Sequence, residues 1–133
     1  VIAAYMGGVP LIYNGQEVGC PVKLPFFSRS PINWTTNPGM MQEYKWLMAL
    51  RASHAALRTG TLVYYPDADI SAFTRTESND ELLVIVNTRN AAKSYVVPSG
   101  IQNTTWIDAR TNTGLTLGST LSLSAYEYRI LKK

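Results

Sequence analysis

"ELLVIVN", Glu81 to Asn87, is apolar at consecutive positions from Leu82 to Val86. A strand that alternates has one wet face, whereas a run without alternation must be covered on both, so this stretch reads as the central strand of a sheet. Short strand-like runs lie on either side of it, separated by turn residues. "TLVYY" precedes Pro66-Asp67 and "ISAFTR" precedes Ser78-Asn79-Asp80. "KSYVV", "TTWID", "TLSLS" and "YEYRIL" follow, for a total of about seven strands with no helix between them. That spacing predicts a mainly β domain, an antiparallel Greek-key sandwich over residues 60–133. Trp106, Tyr64, Tyr65, Tyr95, Tyr126 and Tyr128 alternate with polar residues, as the core and rim of a sandwich do. A carbohydrate-binding platform made of some of these rings is the second reading.

Upstream of the strands the period changes. Asn37 offers a helix N-cap with Pro38 at the first helical position, and a helix is expected from about Met40 to Arg58, stopping at Gly60. Leu47, Leu50, His54 and Leu57 share one of its faces. His54, on that apolar stripe, reads as a hydrogen-bonded interface residue. Residues 20–39 carry prolines at 21, 25, 31 and 38 together with Phe26, Phe27 and Trp34. An irregular loop, packed because linkers seldom contain aromatics, is expected there. "VIAAYM" reads as the tail of a helix, Gly7 and Gly8 as a turn, and "VPLIYN" as a buried strand ended by Gly15.

Composition excludes several classes. Charged residues make up 16% of the 133, below the roughly 25% of typical soluble domains. The twelve Lys and Arg form no cluster beyond Lys132 and Lys133, which argues against a nucleic-acid groove. No run approaches the roughly 20 apolar residues of a membrane span, and the first residues lack a basic segment of signal-peptide type. Cys20 is the only cysteine, so no internal disulfide and no cysteine-rich metal site can form; it reads as an inert small hydrophobe. The Ser, Thr and Asn content leans toward an extracytoplasmic setting.

Four segments in order carry a family resemblance. "GGVPLIYNGQEVG", Gly7 to Gly19, is similar to the eighth-strand segment of the alpha-amylase family of glycoside hydrolases, Gly-x-Pro-x-x-Tyr-x-Gly-x-Glu, through Gly8, Pro10, Tyr13, Gly15 and Glu17. "SRSPINW", Ser28 to Trp34, resembles the Arg-x-Pro-Met-x-Trp of the following loop, with Ile32 in place of Met. "YKWLMALRASHAALRTG", Tyr44 to Gly60, is similar to the last helix of that family's β/α barrel. "ELLVIVNTRN" and "LSAYEYRIL" resemble strands of its C-terminal β-sandwich.

The resemblance implies that residues 1–59 are the end of a TIM-type barrel (last strand, rim loop and last helix) and residues 60–133 the C-terminal sandwich. The parent enzyme would then cleave alpha-1,4-glucans such as starch and maltodextrins, by double displacement with retention. Its Asp nucleophile, Glu acid/base and second Asp belong to the fourth, fifth and seventh barrel strands, all upstream of Val1. No catalytic residue is expected here, and the isolated chain is expected to be inactive. A retaining pair needs carboxyl groups roughly 5 to 5.5 Å apart, and the nine carboxylates of this sequence are scattered. Arg29 and Trp34 are the substrate-binding candidates, as rim residues near the glucan cleft, although Trp34 also fits packing beneath the loop. Gly8, Pro10, Tyr13, Gly15 and Glu17 are assigned structural roles, with Glu17 accepting backbone N–H groups or pairing with an arginine; contact with a saccharide is its other reading. No cofactor is expected in this chain, and calcium, common in the family, would be held by upstream segments of the parent. The expected partners are alpha-glucan, through the parent, and the catalytic barrel. Self-association through residues 1–19 would satisfy an otherwise unpaired strand, with local disorder as the alternative. A free-standing carbohydrate-binding or interaction sandwich is the competing class, disfavoured by that same strand.

Overall fold

A computed structural model describes all residues, 1–133. Eight strands form two sheets: β1 (Thr61–Tyr65), β2 (Ile70–Glu77), β3 (Asp80–Asn87), β4 (Lys93–Val96), β5 (Thr105–Asp108), β6 (Gly114–Thr116), β7 (Thr120–Leu123) and β8 (Tyr128–Lys132). The large sheet has the order β1-β2-β3-β8-β5-β6, and β4 and β7 pair in a second sheet. All pairings are antiparallel. β6, only three residues long and begun by a glycine, escapes the sequence reading.

β3 is central, between β2 and β8. Its unbroken apolar run has a direct cause, since the sheet is covered on both faces. Leu83 and Ile85 point with Ile70, Ala72, Trp106 and Leu131 toward the small sheet, where Tyr95 and Leu123 close the sandwich core. Leu82 and Val84 point the other way with Phe73 and Ile130, against Tyr5, Leu47, Ala56 and Leu57 of the helical layer. Alternate residues of one strand therefore serve two cores.

The helical layer consists of α1 (Ile2–Tyr5), α2 (Pro38–Ser53) and α3 (Ala56–Thr59). Asn37 caps α2, its Oδ1 accepting the Met40 N–H at 2.9 Å, with Pro38 at the first position. The single helix expected to run to Arg58 is instead broken after Ser53, where His54 is extended (φ −114°, ψ 116°). Asp80, at the start of β3, causes the break. Its Oδ1 lies 2.7 Å from His54 Nδ1 and its Oδ2 accepts the Ala56 N–H at 2.9 Å, so a carboxylate from the sheet caps α3 from outside. His54 is thus the interface residue its position on the stripe suggested.

Two further tertiary contacts tie helices to sheet. The Tyr5 hydroxyl, fully buried, donates to the Leu47 carbonyl at 2.9 Å. Arg75 on β2 is 6% exposed and donates from Nε to the Ala56 carbonyl at 3.1 Å and from Nη1 to the Met6 carbonyl at 3.0 Å. The guanidinium thus satisfies the Met6 carbonyl just after α1 and adds a second donor to the Ala56 carbonyl, which also accepts the Gly60 N–H at 3.0 Å.

Two further expectations fail. Residues 9–13 form no strand, and Val9 and Leu11 are 90% and 83% exposed. Extended backbone becomes a strand only beside another, and no strand of either sheet pairs with residues 9–13. The loop of residues 20–37 is irregular as expected but not packed: Phe26 and Phe27 stand 83% and 102% exposed.

Candidate functional site

Of the five motif residues, Tyr13, Gly15 and Glu17 come together in one compact turn. Gly15 has φ +87°, and a Cβ there would sit 3.0 Å from Cys20 Cβ and 3.3 Å from Ile32 Cδ1, so both conformation and space demand glycine. Its carbonyl accepts the N–H groups of Val18 and Cys20, closing a 3₁₀ turn over Gln16–Val18. Tyr13 precedes the turn, exchanging its N–H with Gln16 Oε1 at 3.1 Å and its carbonyl with the Gln16 N–H at 2.9 Å. Gly8 (φ +68°) turns the chain away from α1 and Pro10 is half-buried. Glu17 accepts no backbone N–H and meets no arginine; its Oε2 is buried without a hydrogen-bond partner, near Ile12, Met41 and Tyr44. Its expected structural pairing is not made within this chain.

Arg29 and Trp34 lie on the exposed loop. Trp34 is 47% exposed, so it does not pack beneath the loop, and it follows Asn33, whose Oδ1 accepts the Thr35 N–H at 3.0 Å. Beside the turn, Tyr13, Gly15, Gln16, Lys23 and Phe26 border an open cleft of about 460 Å³, which neither Arg29 nor Trp34 lines. These two candidates are not brought together with it.

Most carboxylates of the chain are held in structural pairs. Asp69 binds Arg89 and Lys93, Glu81 binds Lys133, Glu43 binds Arg110, and Asp67 caps the entry to β2 through the N–H groups of Asp69 and Ile70. Only Asp108 and Glu127 border the same cleft, and Arg129 stands between them, 3.6 Å from Asp108 Oδ2 and 2.6 Å from Glu127 Oε1. The Ser124 N–H on Glu127 holds its carboxyl below the usual range. Burial resists ionisation of Asp108, but the N–H groups of Thr111 and Arg110 prevail and its pKa is also lowered. A retaining glycosidase needs one carboxyl with a raised pKa as general acid; here both are shifted downward. No three His, Cys, Asp or Glu side chains converge at one place.

One cluster lay beyond sequence reasoning. Arg110, after β5, stacks 3.9 Å over the ring of Trp46 on α2 and also engages Glu43 and the Tyr128 hydroxyl. The signal available was the i, i+3 spacing of Glu43 and Trp46, which places both on one helix face. Arg110 and Tyr128, which meet them, are more than sixty positions away.

The Asp80 contacts yield a pH prediction. Burial raises its pKa, but the Ala56 N–H and then His54 outweigh burial and the net shift is downward. A carboxyl with a depressed folded pKa stabilises the fold fully above its unfolded pKa and loses that contribution as pH falls through the folded one. Stability should therefore decline below the ordinary aspartate range of about 4. In urea unfolding followed over pH, Asp80→Asn should lower the neutral plateau and flatten the acid limb; an unchanged acid limb would remove Asp80 from this role.

No family model matches the chain. Among curated proteins, neopullulanase 2 of Thermoactinomyces vulgaris is 32% identical over 112 residues, covering 78% of this chain and 19% of its own length. Alpha-amylase 2 of Dictyoglomus thermophilum is 30% identical over 94 residues, 62% of this chain and 16% of its own. These matches fall in the C-terminal region of the relatives. The chain belongs to the alpha-amylase family and matches the C-terminal region of its members. The fold agrees: an AmyP variant solved in complex with maltotriose superposes with a TM-score of 0.75 over 98% of this alpha-amylase-family chain and 32% of its own, at 19% identity. The chain spans less than a fifth of the length of these curated relatives.

Proposed function

We propose that the enzyme containing this segment hydrolyses alpha-1,4-glucans, starch and maltodextrins among them, by a retaining double displacement. Residues 1–59 then end its β/α barrel and residues 60–133 form its C-terminal sandwich. The reading rests on the order of the four motif segments along a chain whose relatives include an alpha-amylase and a neopullulanase. The segment's part is structural. The turn around Gly15 sets the rim, α2 and α3 carry the contact layer, and the two-sided sheet fixes them.

Catalytic carboxyls, any calcium and the choice of glucan belong in this reading to the preceding barrel, against which the exposed Val9, Leu11 and Tyr13 would lie. In the isolated chain the same exposed residues favour self-association through 1–19, which light scattering on the full chain and on a version starting near Met40 compares.

The isolated chain is expected to release no sugar from soluble starch or from a chromogenic malto-oligosaccharide. Turnover that co-purifies with the chain and is lost in neither Asp108→Asn nor Glu127→Gln would place a catalytic pair elsewhere in it and refute the structural role. For the parent, retention is read by NMR of the anomeric configuration of the first product; an inverted product refutes the double displacement.

A further inference from the structure

A cleft of about 310 Å³ opens where α2 meets the β7–β8 turn, bordered by Trp46, Asp108, Arg110, Tyr126, Glu127 and Arg129. Its volume falls at the small end of the ~300–1,000 Å³ typical of small-ligand sites. Three observations bear on what it holds.

The first is Tyr126. It occupies the left-handed region (φ +56°) and is 62% exposed, so a bulky ring is held in a costly conformation and shown to water. Its position is nevertheless fixed. Its N–H donates to the Arg89 carbonyl at 3.0 Å, the Ser124 N–H donates to Glu127 Oε2 at 2.7 Å, and the buried Asn87 binds the turn through its N–H to the Glu127 carbonyl at 2.8 Å and its Nδ2 to the Ser124 carbonyl at 2.7 Å. None of these bonds uses the side chain of Tyr126. Turn geometry alone would favour glycine there.

The second is unused hydrogen-bonding capacity. Asp108 has a side chain only 10% exposed, and its Oδ1 accepts the N–H groups of Arg110 and Thr111 at 2.9 and 3.0 Å. Its Oδ2 faces Arg129 Nη1 at 3.6 Å, too far for a hydrogen bond. An acceptor and a donor thus stand side by side, each able to take a further partner. The third is charge. Two carboxylates and two guanidinium groups border the cleft, so neither a phosphate nor an amine is favoured and a neutral polyhydroxyl ligand is.

We propose that this cleft binds a pyranose ring of a glucan chain, with the Tyr126 ring stacking on the apolar C–H face of the sugar and Asp108 Oδ2 and Arg129 Nη1 bonding a pair of adjacent hydroxyls. An aromatic ring and a polar donor–acceptor pair bordering one cleft suit the apolar C–H face and the hydroxyls of a sugar ring. That the glucan is alpha-linked rests on the function proposed above. The role of the site is to hold chain.

The test is an NMR titration of the full chain with maltoheptaose and, separately, with cellohexaose, following backbone amides. Saturable shifts at Tyr126, Glu127 and Arg129 with maltoheptaose are expected. Tyr126→Gly, which suits the left-handed backbone, should weaken binding about tenfold while leaving the melting temperature equal or higher; Tyr126→Phe should retain it. Shifts with cellohexaose alone would uphold the saccharide site and overturn its alpha-glucan assignment. The absence of saturable shifts with either sugar, or binding unaltered in Tyr126→Gly, overturns the site and leaves the function of the parent to its own product analysis.

Discussion

Trp106→Ala is expected to destabilise the protein by about 3–5 kcal/mol, the range for emptying a buried aromatic site. The indole is 1% exposed and is the largest fully buried side chain, filling the space between the large sheet and the β4–β7 pair. Its Nε1–H donates to Thr104 Oγ1 at 2.7 Å, and Lys133 Nζ lies 4.0 Å over the ring, itself held by Glu81 Oε2 at 2.9 Å. Truncation would leave a cavity that two hydrogen-bonded sheets cannot close without breaking register. Trp106→Phe should cost less, since it keeps most of the volume and loses only one hydrogen bond. Urea unfolding of the three proteins makes the comparison, and a Trp106→Ala penalty under about 1 kcal/mol would show that the sheets do not pack through the indole.

Gly60→Ala is the second large effect, at about 3 kcal/mol, the upper end of overpacking penalties. Gly60 lies between α3 and β1 with φ −62°, a value any residue adopts, so backbone freedom is not why glycine stands there. Space is. A methyl group would lie 2.6 Å from the Ala56 carbonyl oxygen and 2.8 Å from both Ala56 Cα and the Thr76 carbonyl oxygen, all backbone atoms that cannot move singly. Gly100→Ala is the control, because nothing lies within 4 Å of its Cβ position. Equal stability of the two variants in thermal unfolding would contradict the close approach at Gly60.

The contrast between these glycines shows where sequence reading reaches its limit. Gly60 does end the helix as its position suggests, but the steric reason involves Thr76 from another strand and is invisible locally. β3 and its flanking hairpins are legible because burial on both faces writes itself directly into residue type. The break at His54 is not, because the residue responsible, Asp80, arrives from the sheet. Val9 to Tyr13 has the composition of a strand and no neighbour to pair with, so local preference outruns the backbone hydrogen bonds available. Within the candidate sites, Gly15 is legible from the motif, whereas the cleft at Tyr126 is assembled from α2, β5 and β8 and exists only once the chain has folded. Arg29 and Trp34 were suggested by the motif alone, and their exposed loop places neither at the cleft beside Gly15.

The position of β8 has a consequence for how the chain acquires its structure during synthesis. The last strand in sequence lies between β3 and β5 in the large sheet, holding the β1-β2-β3 block to the β5-β6 pair. Until residues 128–132 leave the ribosome, one edge of β3 and one of β5 remain open and the two parts of the sheet have no common strand. The β1–β3 hairpins can form early, from local contacts, but cooperative closure waits for the most distant partner and is slow for that reason. During that interval the exposed edge of β3, the most apolar strand of the chain, is the surface most vulnerable to intermolecular pairing.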